Sequence, residues 1–200
     1  MPASAPKTGA PPPPPPPPAV KKAPTPPPSP QPPVVASTGS AGAFMVELLI
    51  YNGSPFKDHW AYWVRSHANP DIGVLIHATG DVKNGFNFEV KRSHDFHATG
   101  NRPTMRIPLQ WVDAKYFNEK AMLNDGKRKI DNAPVCDFEA SAYKIKAPGK
   151  TLNVANDKVT SGKRITQRNC QTWIVKSADQ LVEDHIFSKE VAAYLHAIEQ

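Results

Sequence analysis

The sequence predicts an α+β domain, an antiparallel sheet packed against helices, carried behind a proline-rich arm. Three observations predict it. Seventeen of the 23 prolines fall within residues 1–43, a stretch with no Asp, Glu or aromatic residue. From Phe44 to Val112, short runs rich in Val, Ile, Phe, Tyr and Trp recur between turn residues. The last forty residues instead repeat apolar positions at the period of a helix. The chain thus divides into a disordered arm, 1–43, and one domain, 44–200, long enough to bury its own core.

The arm contains an unbroken octaproline, Pro11–Pro18. Such a run adopts polyproline II at ~3.1 Å per residue, a stiff rod of roughly 25 Å. Pro24-Thr25-Pro26-Pro27 adds the spacing that aromatic grooves read, so residues 11–33 are a candidate docking segment for a proline-recognising partner. A solubilising spacer is the alternative. Gly39-Ser40-Ala41-Gly42 reads as a soft junction with the domain.

The first strand is Phe44–Tyr51, nearly all apolar, closed by the turn signal Asn52-Gly53-Ser54-Pro55. The second is His59–Arg65, rich in aromatics. Residues 66–70 form a loop, and Gly73–Thr79 is the third strand. Asn84-Gly85 introduces a fourth, Phe86–Lys91, in strict alternation, and Met105–Val112 is the fifth. A helix over about Asp113–Met122 follows, then a basic loop at Lys127-Arg128-Lys129, then a strand around Ser141–Lys146. Ile174, Val175, Ala178, Leu181 and Val182 mark one apolar helical stripe. A second helix begins at Ser188 and buries Val191, Ala192, Leu195 and Ile198.

Composition excludes several classes. The formal charge is +6, but the basic residues are spread along the chain. The clustered cations and interleaved aromatics of a nucleic-acid binder are missing. Two cysteines cannot staple a disulfide scaffold. No apolar run approaches the ~18 residues of a membrane span, and proline stands where a secretory leader would need an apolar stretch. The expectation is a soluble, cytoplasmic or nuclear protein.

The chemistry centres on Cys170. Asn169 is a good N-cap, which places Cys170 in the first turn of a helix, where free amides and the positive dipole end favour a thiolate. Positions i+3, i+4, i+8 and i+11 are Trp173, Ile174, Ala178 and Leu181, so the sulfur faces inward at a sheet edge. If residues 66–70 close a hairpin, Arg65 pairs with Asp71, Trp63 with Gly73, and His59 with His77. Two imidazoles then stand side by side on one face, a relation that a slip of one residue would destroy. A helix-start thiol, an imidazole in reach and a polar group to orient it make up a nucleophilic cysteine site. Each residue alone has a plainer meaning, an inert core thiol or a structural strand histidine.

Together, His59-Trp60-Ala61, Ile76-His77 and the late Asn169-Cys170 resemble the permuted papain-like group, including the lecithin:retinol acyltransferase-type and PPPDE-type proteins. In that group histidine precedes cysteine along the chain, as here. The resemblance implies a circularly permuted papain-like fold, with Cys170 as nucleophile, His59 as base, His77 as the orienting member and the Cys170 amide in an oxyanion hole. After the cysteine this chain has Gln171-Thr172-Trp173 where the acyltransferases carry Glu-His-Phe.

The expected function is a thiol-dependent hydrolase or acyltransferase cleaving an amide, isopeptide or ester bond, with no metal or organic cofactor. The alternative is a non-catalytic interaction module recruited through the polyproline arm. Zinc held by His59, His77 and Cys170 lacks the paired spacing such sites show. His94-Asp95-Phe96-His97 reads as an exposed loop and Cys136 as a buried structural thiol. Pro148-Gly149-Lys150-Thr151 lacks the first glycine of a phosphate loop. His67, His185 and His196 are assigned no role.

Overall fold

The computed structural model describes Met1, residues 29–150 and residues 168–200. Six strands form one antiparallel sheet in the order β5-β1-β2-β3-β4-β6. They are β1 (Phe44–Tyr51), β2 (His59–Arg65), β3 (Ile72–Asp81), β4 (Gly85–Asp95), β5 (Met105–Val112) and β6 (Lys129–Asp131). The helices are α1 (Glu119–Met122), α2 (Asp137–Tyr143), α3 (Cys170–Glu183) and α4 (Lys189–Ile198). No described helix is long and apolar enough to cross a membrane. Pro11–Pro18 and Pro24–Pro27 lie outside the described residues.

Both faces of the sheet centre are covered, which is why its strands read as almost continuous apolar runs. In β2, Trp60, Tyr62 and Val64 join the main core, with Trp173, Ile174, Ala178 and Leu181 of α3 and Phe138 of α2. Ala61 and Trp63 point the other way, into a smaller layer with Leu49, Tyr51, Leu75 and Phe96. Full burial of each large side chain contributes roughly 1.5–3 kcal/mol, and Trp60, Trp63 and Trp173 are all at most 1% exposed. Tyr62 also donates its hydroxyl to the Ile174 carbonyl at 2.9 Å, pinning α3 to the strand beneath it.

Helix α3 starts where the sequence predicts. The Asn169 side chain accepts from the amides of Gln171 and Thr172 at 2.9 and 3.2 Å, and the Thr172 hydroxyl accepts from the Asn169 amide. This reciprocal pair satisfies amides that have no partner inside the helix. Ser188 precedes α4, as expected.

Four expectations need correction. The helix over Asp113–Met122 is two pieces, a 3-10 turn at Ala114–Tyr116 and the short α1, because Phe117 and Asn118 are extended and Asn118 caps a new start. The strand around Ser141–Lys146 is instead the last turn of α2, Ser141–Tyr143, and the non-helical residues after it: Asp137 and Glu139 fill the first turn of that helix, and Phe138 and Ala142 bury one face at helical spacing. Lys129 of the basic loop belongs to β6, which pairs with Val90–Arg92. Likewise His94 and Asp95 are the last residues of β4 rather than loop.

The arm also meets the domain before residue 44. The Trp111 indole donates to the Ala36 carbonyl at 2.9 Å, and Gly39 lies so close to that ring that a Cβ would sit 2.6 Å from it. The predicted soft junction is a turn closed by Ala43 N–H on Ser40 O, with Gly42 at φ +75°.

An ion pair inaccessible to solvent ties the sheet to its flank. Arg92 of β4 forks onto Glu139 of α2 at 2.9 and 3.0 Å, and its Nε donates to Asp131 of β6 at 3.0 Å. Arg92 Nη2 also donates to the Ala133 carbonyl, and Glu139 accepts the Val135 amide. Removing one charge strands the other in a low dielectric. Glu139→Ala is expected to lower unfolding free energy by about 3–5 kcal/mol, whereas Arg92→Met with Glu139→Leu recovers most of that loss. Urea denaturation measures both; a loss below about 1 kcal/mol in Glu139→Ala would count against this role.

Candidate functional site

The β2–β3 hairpin sets the histidines. Its register pairs Arg65 with Gly73, Val64 with Val74, Trp63 with Leu75 and Tyr62 with Ile76. Every pair is therefore displaced by two residues from the register expected on sequence grounds. The reason is the connection: Ser66 N–H bonds Ile72 O, so the loop spans Ser66–Asp71, tightened by Ile72 N–H on Asn69 O and by the Asn69 side chain on the Asp71 amide. A displacement of two preserves faces. His59 and His77 are diagonal rather than opposite neighbours, and they still meet.

They meet closely. His59 Nε2 lies 2.7 Å from His77 Nδ1, and His77 Nε2 lies 3.0 Å from Glu89 Oε1 on β4. The carboxylate sets the tautomers. Glu89 can only accept, so His77 carries its proton on Nε2 and presents a lone pair at Nδ1. His59 must then donate from Nε2, which leaves His59 Nδ1 as the basic atom of the chain. Glu89 escaped the sequence reading, although a signal existed. The alternation of Phe86–Lys91 puts it on one face of β4, and His77 pairs with Glu89 in the register.

Both imidazoles are kept neutral. Burial, then the neighbouring His77 and Lys91, lowers the His59 pKa from 6.5 to about 4. Burial also lowers that of His77, against the opposing hydrogen bond from Glu89. The Glu89 carboxyl is held below its usual range, chiefly by the His77 hydrogen bond. The pair borders a cavity of about 270 Å³, also lined by Tyr51, Asn52, Lys91 and His94.

Cys170 comes to the same sheet end from the other side. His59 and His77 alternate with Trp60, Ile76 and Ala78, whose side chains belong to the main core, so both imidazoles project away from α3. The Cys170 side chain is in that main core and 6% exposed. Its Sγ is 3.8 Å from the Asp58 carbonyl, and the amides of Trp60, Gln171 and Cys170 itself face the sulfur. Among the described residues, no hydrogen bond joins it to either histidine. Thus the structure brings His59 and His77 together and sets Cys170 against the backbone on both sides of His59. Burial outweighs the amides and raises the thiol pKa, so the resting thiol is protonated rather than the thiolate favoured by a helix start alone.

Two further residues complete the surroundings of the thiol, and neither was singled out from sequence. Gln171 is fully buried, and its Nε2 donates to the same Asp58 carbonyl at 2.8 Å. Gln200 bonds both Gln171 and Asp58. A long-range contact of this kind leaves no periodic trace in a sequence.

The other candidates stay apart from this site. Cys136 precedes α2, and burial pushes its thiol to about 12. His97 is exposed and pairs with Asp71, and His196 pairs with Asp179. His67 stacks on Phe44 at 4.1 Å. Among the described residues, no group of three His, Cys, Asp or Glu is arranged to hold a metal ion.

Fold and site together define an α+β protein with a buried helix-start cysteine on one face of a sheet end and a His–His–Glu chain on the other. A family model described as "Family of unknown function (DUF6540)" matches residues 46–188, and the chain belongs to that family. No curated protein and no solved structure matches it.

The neutral histidines make stability pH-dependent. A histidine depressed to about 4 binds its proton in the unfolded chain first, so its contribution is intact above pH 6.5 and is lost as pH falls toward 4. The urea midpoint is expected to fall across that window. His59→Gln, which cannot titrate, should flatten the fall, and an unchanged slope would exclude His59 as its source.

Proposed function

We propose that the protein is a thiol-dependent hydrolase or acyltransferase acting on an amide, isopeptide or ester bond through Cys170, His59 and His77, with Glu89 as a fourth member. The observation that carries this reading is the Glu89–His77–His59 hydrogen-bond chain. It ends on the residue between Asp58 and Trp60, the two positions whose backbone meets the Cys170 sulfur. The chain sends basicity to His59 Nδ1. In the reaction, side-chain rotation of Cys170 and His59 around the strand end at Asp58–Trp60 has to bring that atom to the thiol; it then takes the thiol proton while sulfur adds to the substrate carbonyl carbon. The leaving amine or alcohol departs with that proton, and water or another acceptor resolves the thioester.

A neutral resting pair suits a base that acts only once substrate is bound. The Cys170 amide faces the sulfur and is the candidate oxyanion donor. Amide and isopeptide bonds fit better than lipid esters, because the cavity beside the histidines is small and has polar walls at Asn52, Lys91 and His94. The permuted papain-like resemblance supports the same assignment of roles.

A second reading has its own support. The thiol lacks an imidazole partner and carries a raised pKa, and the arm is anchored on Trp111. Both features suit a binding module recruited through residues 11–33.

An activated acyl ester, p-nitrophenyl acetate, separates the two by mass spectrometry. The enzyme reading expects acetylation of Cys170 and none of Cys136. His59→Ala should slow acetylation by roughly 10²–10⁴-fold, the usual worth of a positioned base. Direct alkylation of resting Cys170 should instead rise with pH only above the ordinary thiol range of ~8.5. Equal acetylation rates in wild type and His59→Ala would leave the binding module as the better account.

A further inference from the structure

Beside the thiol, the structure holds a side-chain amide in a site with several specific contacts. Gln200 Oε1 accepts two hydrogen bonds, from the Asp58 amide at 3.0 Å and from Gln171 Nε2 at 3.1 Å. Gln200 Nε2 donates to Asp58 Oδ2 at 3.0 Å, and the Gln200 backbone amide donates to Gln171 Oε1 at 2.9 Å. These partners fix which end of each amide is oxygen, because a backbone N–H must donate and a carboxylate must accept. The other Asp58 oxygen is taken by the Gly53 amide at 3.0 Å, which holds the carboxylate in place.

Host and guest differ in burial. Gln171 is fully buried, whereas Gln200 is exposed. Withdrawal of Gln200 costs that residue little, since water takes over its bonds. It leaves buried Gln171 with an unsatisfied donor and acceptor, which favours a replacement of the same chemistry. Among the described residues, a surface groove of about 630 Å³ opens beside Gln200, between Lys57 and Lys176. The site also borders Cys170, because Gln171 Nε2 and the Cys170 sulfur share the Asp58 carbonyl.

We propose that Asp58 and Gln171 form a glutamine-recognition subsite, filled in cis by Gln200 and open in trans to a glutamine side chain of a peptide or protein. The two donors read the carbonyl oxygen and the Asp58 carboxylate reads the NH₂ group. Glutamate therefore fails for want of a donor, and its charge opposes that of Asp58. Gln171 Oε1 reads the backbone N–H of the same residue, which fixes the spacing between backbone and amide. Asparagine, one methylene shorter, cannot satisfy both. The inference deepens the thiol reading and rests on it for the fate of the bound amide, whereas binding is tested apart from turnover.

The test uses the full chain with Gln200→Ala, and the probe is N-acetyl-glutamine methylamide followed by NMR at the Asp58 amide and the Gln171 side chain. Two or three hydrogen bonds should make it about tenfold tighter than the asparagine or glutamate analogue. Wild type should bind at least about tenfold more weakly than Gln200→Ala, since its own glutamine competes. Adding Gln171→Leu to Gln200→Ala should abolish the preference. Gln200→Glu is a second vacating variant, its carboxylate facing that of Asp58, and should admit the same probe. Equal affinity for the three analogues, equal affinity in wild type and Gln200→Ala, or no shift in either vacated variant would each overturn the proposal. Selective binding without Cys170 acylation would overturn the thiol reading and leave the subsite standing. Acylation without selective binding would do the reverse.

Discussion

In β2 successive side chains must turn to opposite faces of the sheet, and the site depends on where that alternation begins. Trp60, Tyr62 and Val64 face the helices, which commits His59, Ala61 and Trp63 to the far side. The same rule in β3 commits His77 to that side, because Ile76 and Ala78 are in the core. The histidines are thereby grouped with Glu89 and separated from the helix that carries Cys170. Only at the strand end, where Asp58 and Trp60 present backbone rather than side chain to the sulfur, do the two sets of residues approach. A shift of one residue in β2 would bury the imidazole in the core and expose a tryptophan, at several kcal/mol. The geometry of the site is thus held by the packing of apolar neighbours.

Much of this was legible in the sequence because it is periodic. The bounds of β1, β2 and β5 follow from apolar runs between turn residues, and the α3 stripe follows from 3.6-residue spacing. The face shared by His59 and His77 was legible too, since parity survives a displacement of two. The register itself was not, because it depends on how many residues the Ser66–Asp71 turn absorbs, and that is settled by hydrogen bonds of Asn69 and Ser66. Ser141–Lys146 alone has the composition of a strand, and only the acidic first turn before it, Asp137 and Glu139, marks Ser141–Tyr143 as the end of a helix. Glu89 was legible only as a residue on one face of an alternating strand, and Asp58, Gln171 and Gln200 carry no local pattern that announces their contacts.

The buried Arg92–Glu139 pair illustrates the same limit. Charge in a sequence normally signals surface, and here Arg92 is 2% exposed and Glu139 is inaccessible. Such a pair contributes little net energy compared with apolar residues of the same volume. It does dictate geometry: a forked guanidinium accepts its carboxylate in one orientation, and its remaining donors select Asp131 and the Ala133 carbonyl. Strand β6 and helix α2 are therefore positioned by direction as well as by burial.

An open sheet ends in two rows of unpaired backbone groups, and such rows invite a strand from another molecule. Here one margin is β6, three residues long with Lys129 and Asp131 at its ends, and otherwise β4, whose Phe86 amide already bonds the Pro148 carbonyl and whose run is broken at Ser93, φ +46°. The other is β5, where Pro108 contributes no N–H and a register shift opposite Val46 and Glu47 breaks the regular ladder. The segment lying across Trp111 screens part of that margin as well. Neither boundary offers a straight, fully equipped template, so a protein rich in apolar strand sequence is poorly suited to seed cross-β fibres. At high concentration its folded form should resist edge-to-edge polymerisation even though both faces of its central strands are apolar.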